Sequence, residues 1–542
     1  MRRGLSGGTA VPAISACDPE ASPSQYAPMP SSQRRFPDAR PAVPSPDTVH
    51  PQHEPVLGRP HAALRTRWAW GLAALTGVLC VALASDVAPI LRGPVEWRWH
   101  LQSPLNLVPW RLVAPAAVAA LAALWFSAAA LAPRVGALRL VALAALALAF
   151  RFAVQFTGTH GVEVVGRTMN PAFYGYFAPA TRVTGLRDYL RSYAAHRECL
   201  SFRERAHPPG NVVFFWTFLQ AARHSTPIVK LAAPLIERRR PTLEAWASSY
   251  TDAEAVAAAA ASLAVGALGC LAVVPLYLMA LRLSGPRAAL LAAGLFVFMP
   301  PGALFLPVVD DLQTFVAAAA AFLTVVGVAR DRLDLVATAG LTVGVGTFLS
   351  YSMLPVAAFL VLLTVLSPRG VVNRRRGTLL DVGVLAAAAA AVWLVAWLWL
   401  GLEPVRLFLA SMRGNFNVRE RSYWTWLVGD PYDLLLFAGV PVAVHFTAGL
   451  VGAARRALRR GGPSSPDAVA LAFALALGAL FVSGALRGEA ARTLLYAFPF
   501  MAWLAADHIL GGRHPGRASG VAACALLAVQ TVAFNAILHV YH

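Results

Sequence analysis

Charged side chains are scarce in this chain: Asp, Glu, Lys and Arg together make up 13% of its 542 residues, against roughly 25% in an ordinary soluble domain. The length alone would allow three or four soluble domains, but so few charges cannot cover their surfaces. Lysine is rarer still, Lys230 being the only one. The net charge of +19 is therefore arginine charge, placed mostly in loops, and is no sign of a nucleic-acid partner. The five cysteines, Cys17, Cys80, Cys199, Cys270 and Cys524, are scattered without a CxxC pair, and their spacing supports neither a disulfide framework nor a metal cluster. Acidic residues are almost missing from the middles of the apolar runs, and no internal repeat is visible. Both absences count against a transporter or lipid flippase, which would place ionisable groups near the bilayer midplane in matching halves.

What the chain has in abundance is apolar surface. Hydrophobic residues make up 57% of it, and runs of about 20 residues, each long enough to cross a bilayer core of ~30 Å, recur along most of its length. The expected fold class is an all-α polytopic membrane protein with about thirteen transmembrane helices and a large helical outer loop. The runs lie near 68–85, 112–132, 137–157, 253–281, 288–307, 312–329, 334–350, 353–366, 379–400, 433–451, 468–486, 493–510 and 518–539. Residues 1–67, rich in Pro, Ser and Arg, read as a disordered cytoplasmic tail. That tail is too long and polar for the n-region of a signal peptide, so the first run reads as a retained anchor. The rest divides into three helices over 68–157, a large outer loop over 158–252, and a bundle over 253–542 that carries a second outer loop at 401–432. A smaller outer loop covers 85–111.

Orientation follows from arginine in short loops. Arg374–Arg375–Arg376, Arg455–Arg456 with Arg459–Arg460, and the turns 282–287, 330–332 and 513–517 all fall on one side with the N-terminal tail. The expectation is a multi-pass protein of the plasma (inner) membrane, N-terminus cytoplasmic and C-terminus outside. Residues 208–222, PPGNVVFFWTFLQAA, are apolar but short, which suits a re-entrant or interfacial segment. Were they to cross, every later arginine cluster would face outward. As a re-entrant segment they leave Arg238–Arg239–Arg240 outside, in a long loop where the charge rule is weak.

Three groups of residues at the outer side can carry chemistry. Glu163 comes six residues after the third run. His207–Pro208–Pro209–Gly210 opens the short apolar segment, and proline there equally suits the first turn of a helix. Asp310–Asp311 occupies the turn before the run at 312–329, where two carboxylates beside hydrocarbon are costly unless hydrated, paired or used; capping the next helix is the simpler reading. Arg151 sits inside the third run, about six residues from its outer end, where it either snorkels to the headgroups or meets a buried partner. Glu96, flanked by Trp97 and Trp99, and the cluster Tyr423, Trp424 and Trp426 could face a sugar, although interfacial aromatics are expected at that depth in any case.

The order of these features resembles the GT-C superfamily of integral-membrane glycosyltransferases, especially the protein O-mannosyltransferases and the lipid A aminoarabinose transferase. Those enzymes carry acids in the first large outer loop, then an HPPL- or KPPL-type motif, a helix ending in a basic turn, and another helix with an acid at its outer end. Here the series is Glu163, His207–Pro208–Pro209, the turn RLSGPR at 282–287, then Asp310–Asp311. Arg487–Gly488–Glu489 and Arg492, running into LLYAFPF, are similar to the family's late Arg-Tyr-Pro region. The chain differs in having a single Glu163 where a pair is common, Gly210 in place of Leu, and two extra runs before the matched part, which covers about 137–510.

The resemblance implies a polyprenyl-phosphate-linked sugar donor, a cell-envelope glycan, lipid or protein acceptor, and inversion at the anomeric carbon. It implies Glu163, Asp310 and Asp311 as catalytic acids or bases, with His207, Arg492, Glu96, Tyr423 and Trp424 around the substrates. A divalent metal is compatible with it and is not specified by it. A transporter or flippase, or a scaffold that has lost the base, are the readings to be separated from it.

The arginine pattern predicts sidedness directly. With single cysteines placed at Arg375 and Arg419, a membrane-impermeant thiol reagent should label the second from outside and the first only from inside. Labelling of both from one side overturns the orientation.

Overall fold

The computed structural model describes residues 60–103, 107–130, 135–158, 161–170, 175–193, 202–227, 229–231, 234, 250–368, 377–414, 420–511 and 517–540. Most of the expected tail, Cys17, Cys199, Arg238–Arg240 and Arg374–Arg376 lie outside them. The protein is an all-α polytopic membrane protein. Among the described residues the strands amount to one antiparallel pairing, His100–Leu101 against Leu538–His539, which ties the first interhelical loop to the end of the last helix.

Each of the thirteen apolar runs falls on a helix or a pair of helices, and two further helices, α4 and α12, lie between runs. In chain order the helices are α1 (Pro60–Ala84), α2 (Val113–Ala130), α3 (Ala137–Gln155), α4 (Gly210–His224), α5 (Asp252–Leu271), α6 (Val273–Ser284), α7 (Pro286–Phe298), α8 (Asp311–Arg330), α9 (Leu333–Leu349), α10 (Leu354–Leu366), α11 (Thr378–Leu400), α12 (Pro404–Gly414), α13 (Tyr423–Ala438), α14 (Val440–Arg460), α15 (Ser465–Ser483), α16 (Phe498–Gly511) and α17 (Arg517–Ile537). Among the described residues, eight stretches are long and apolar enough to cross a membrane, α5 and α6 counting as one. Helix α4 has only 15 residues and packs on α5 and on the short helix Phe177–Arg182.

Local chemistry explains the ends and breaks. Alanine runs such as Ala386–Ala391 combine high helix propensity with small side chains that let membrane helices approach. Thr251 and Glu254 form a reciprocal cap at the start of α5. Pro275 cannot donate to the carbonyl four residues earlier, and the helix breaks between α5 and α6. One expectation needs correcting. The run 433–451 is not one helix, because Gly439 takes a φ of +81° and Pro441 follows it, so α13 ends and α14 begins there.

The bundle is organised around a buried ion pair. Arg151 of α3 does not snorkel: its Nη1 lies 2.5 Å from Oδ2 of Asp311 on α8, with both side chains 4% exposed. Thr314 donates to the other Asp311 oxygen at 3.3 Å. Gly269 of α5 faces the carboxylate and Gly302 faces the guanidinium so closely that a Cβ at either position would collide with it. The sequence-level choice for Arg151 is thus settled in favour of the buried partner.

Removing one member of such a pair leaves an uncompensated buried charge, a loss of about 3–5 kcal/mol. Arg151→Met should therefore lower the unfolding midpoint in detergent strongly. The double variant Arg151→Met/Asp311→Leu should recover most of the loss. Equal midpoints for single and double variants would show that the pair is not what matters.

Candidate functional site

The start of α8 and the HPPG segment share one hydrogen-bonded chain. Asp310 sits at the N-cap position of α8 but makes no side-chain cap, which removes the simpler reading of the acidic pair. Its Oδ1 accepts from Gln313 Nε2 at 3.0 Å. Ser352 Oγ donates to Gln313 Oε1 at 2.5 Å, Ser352 and Ser350 hydroxyls meet at 3.0 Å, and Ser350 Oγ lies 3.1 Å from His207 Nδ1. Two motifs about a hundred residues apart are thereby joined through three intervening side chains. Asp310, His207 and Ser352 are half-buried; Gln313 and Ser350 are buried.

Backbone packing holds this chain in place. Gly210 lies directly against the backbone of Phe348 and Leu349, where any Cβ would clash, so leucine could not stand here. Tyr193 Oη donates to the carbonyls of Glu204 at 2.7 Å and His207 at 2.8 Å. The Tyr176 ring meets the imidazole edge-on at 5.9 Å. Beside it, Asn211 is 2% exposed and its Nδ2 has no hydrogen-bond partner among the described residues. A buried donor of this kind normally finds an acceptor.

Glu163 lies on the 3-10 helix Gly161–Met169, whose backbone is described while the Glu163 side chain lies outside the described residues. Arg167, on the same helix, donates to Gln155 Oε1 at 3.1 Å and to the Leu306 carbonyl at 3.4 Å. That bond brings the Glu163 segment to the turn leading into Asp310. Asp311 is committed to Arg151, so the adjacent carboxylates do not act as a pair. A divalent cation does not fit between them, because the Arg151 cation already occupies Asp311. Among the described residues no three His, Cys, Asp or Glu side chains converge to hold a metal ion.

A second cluster holds Arg492, Glu96 and Tyr423. Arg492 pairs with Glu489 at 2.5 Å; Glu489 carries a φ of +57°, rare for a residue with a side chain. Arg421 lies over the rings of Trp97 and Trp426 at 5.3 and 5.4 Å and donates to the Arg487 carbonyl at 2.7 Å. Arg487 returns a bond to the Arg421 carbonyl at 2.8 Å. Two aspartates of α13 anchor the loop from below: Asp430 accepts from Gly488 N at 2.7 Å, and Asp433 accepts from Ala491 N at 2.9 Å and Trp99 Nε1 at 2.7 Å. Trp99 in turn packs on Phe305 at 5.5 Å, so this cluster and the Asp310 chain flank the same turn. The turn Leu495–Ala497 also packs along α8.

Three residues expected around the substrates belong to this cluster and have contacts within the chain. Glu96 accepts from Ser422 N at 2.9 Å and Trp426 Nε1 at 3.0 Å, fastening the first loop to the N-terminus of α13. Tyr423 Oη donates to the Val482 carbonyl at 2.7 Å. Trp424 is 75% exposed and stacks edge-on with Tyr423. Sequence reasoning missed Gln313, Ser350, Ser352, Asn211, Arg421, Asp430 and Asp433. Only Gln313, one helical turn beyond Asp310, carried a spacing signal.

No family model and no curated protein matches this chain. Among solved structures, it is similar to the oligosaccharyltransferase of Archaeoglobus fulgidus, solved with zinc and sulfate, at a TM-score of 0.37 and 13% identity over 70% of this chain. The match spans 53%, about half, of that enzyme's length.

Asp430 supplies a pH signature. Burial pushes its carboxyl up to about 7, and the nearby Asp433 adds to that rise, while the Gly488 bond and Arg421 oppose it. The unfolded chain loses this proton near the ordinary carboxylate range, so the folded state holds more protons between about pH 4 and pH 7. Asp430's contribution is full below that window and is lost as pH rises through it. Thermal midpoints should fall with pH across the window, and Asp430→Asn should flatten the slope. An unchanged slope in Asp430→Asn would assign the titration elsewhere.

Proposed function

We propose that the protein is a GT-C-like membrane glycosyltransferase. It moves a sugar from a polyprenyl-phosphate donor to an acceptor hydroxyl at the outer membrane face, with inversion. One observation carries this reading: the chain Asp310–Gln313–Ser352–Ser350–His207. It unites the late acid and the HPPG segment, two parts of the motif series about a hundred residues apart. A transporter reading gives no reason for that union.

In this reading the acceptor hydroxyl attacks the anomeric carbon while a carboxylate takes its proton, and the lipid phosphate departs from the opposite face. Glu163 is the general base. Asp310 orients the acceptor, its position held by Gln313. Asp311 serves through Arg151 as a structural anchor. Arg492, with Arg421 and Arg487 beside it, supplies positive charge for the departing phosphate. Apolar grooves between helices receive the prenyl chain, and a cell-envelope glycan, lipid or protein provides the hydroxyl.

The test is transfer by the purified protein in detergent from a panel of polyprenyl-phosphate sugars. Glu163→Gln should reduce turnover by about 10²–10⁴-fold with donor binding intact. Asp310→Asn should raise the acceptor KM, and Arg492→Ala the donor KM. Wild-type turnover in Glu163→Gln removes it as the base. Absence of transfer from every donor, with the protein folded, defeats the enzymatic reading.

A further inference from the structure

A groove of about 940 Å³ runs between α14 and α16, and its polar end lies at the end of these helices away from the clusters. Its placement follows from chain direction. Helix α14 leaves the Asp433 cluster and ends at Arg460, and α16 leaves the Arg492 cluster and ends at Gly511. One wall is a track of small residues on α14, Ala443, Thr447, Ala448 and Gly452, reaching up to Leu435 of α13. The far end is polar, with Arg455, Arg456, Asp507 and His508.

The arginines give that end its character. Arg456 uses Nε and Nη2 on Asp467 at 2.9 and 2.7 Å. Its remaining nitrogen, Nη1, lies over Gly452 on the groove wall, 3.2 Å from where a Cβ would stand. Arg455 is exposed beside it, one residue away. His508 and His445 meet through their Nδ1 atoms at 3.0 Å, so one donates and the other accepts, and they cannot both carry charge through that contact. Asp507 is the one carboxylate among the lining residues. The mouth of the apolar track thus presents Arg455 and the free Nη1 edge of Arg456, whose other edge is held by Asp467 behind the wall.

We propose that this groove binds an anionic phospholipid of the adjoining leaflet, its phosphate against Arg455 and Arg456 Nη1 and one acyl chain along the small-residue track. Basic pockets between transmembrane helices suit such headgroups. The continuation of the apolar wall away from the arginines favours a lipid over a free phosphate, which would use the polar end alone. The binding is independent of the transfer reaction and of the residues assigned to it.

The experiment is native mass spectrometry of the full chain reconstituted with equal phosphatidylglycerol and phosphatidylcholine, then released into detergent. Phosphatidylglycerol should be retained in about ten-fold excess, because both lipids offer a phosphate but the choline cation of phosphatidylcholine cancels the net charge that the arginines attract. Arg455→Gln should lower that preference several-fold, and Thr447→Trp, which fills the track, should remove the bound lipid. Both positions are exposed, so neither substitution disturbs the bundle. Equal retention of the two lipids, or a preference that survives both substitutions, overturns the proposal. Displacement of the lipid by millimolar inorganic phosphate would show that the arginines recognise the anion alone, and would equally overturn it.

Discussion

Arg151 and Asp311 meet where neither could stay charged alone. The pair is nearly inaccessible to water, and its members come from α3 and α8, with α5 and the turn Pro300–Leu304 pressed against it through Gly269 and Gly302. Four segments are therefore held by one electrostatic requirement. Buried pairs of this kind add little net stability over an apolar equivalent but penalise any arrangement that separates them. The first residue of α8 is thereby locked, and the neighbouring Asp310 inherits its position. Gln155, one turn beyond Arg151 on α3, donates to the carbonyls of Ala303 and Leu304 at 2.6 and 3.2 Å and fixes the same turn from the other side.

The first interhelical loop is the second constraint. Through Glu96, Trp99 and the short strand pairing it is bound to α13, to the loop 487–492 and to the end of α17. The two runs that precede α3 are thus not an independent appendage. Their connecting loop completes the wall beside the arginine cluster, with Trp97 and Trp426 against Arg421.

The fold was legible because bilayer thickness imposes a length on apolar runs, and alanine and leucine fill those runs here. The break at Gly439 was harder, since hydropathy is continuous across it and only the backbone preference of Gly439 and Pro441 marks it. The candidate site was legible in part. The motif order pointed to His207 and Asp310, which the structure joins. It also pointed to Asp311, Glu96 and Tyr423, whose partners within the chain, Arg151, Trp426 and the Val482 carbonyl, no local pattern announced. Nothing in the local sequence distinguishes a carboxylate that will meet an arginine 160 positions away from one that will face water. Ser350 and Ser352 were invisible for the same reason, being ordinary hairpin residues until α9 and α10 turn them toward Gln313.

The pairing of Arg151 with Asp311 also bears on how the chain is made. Helix α3 enters the membrane while α8 is still to be synthesised, so Arg151 spends that interval without its counter-ion. An arginine near the centre of an inserted helix costs roughly 2.5–3.5 kcal/mol on insertion scales, and a position nearer the end lets it reach headgroups meanwhile. Only when Asp311 arrives does a reason appear for α3 to withdraw that side chain from the lipid surface and close on α8. The ion pair therefore closes only after α8 has been made. A chain that has inserted all its helices but has not yet brought these two together still carries an unpaired charge on each, a cost that packing α3 against α8 removes.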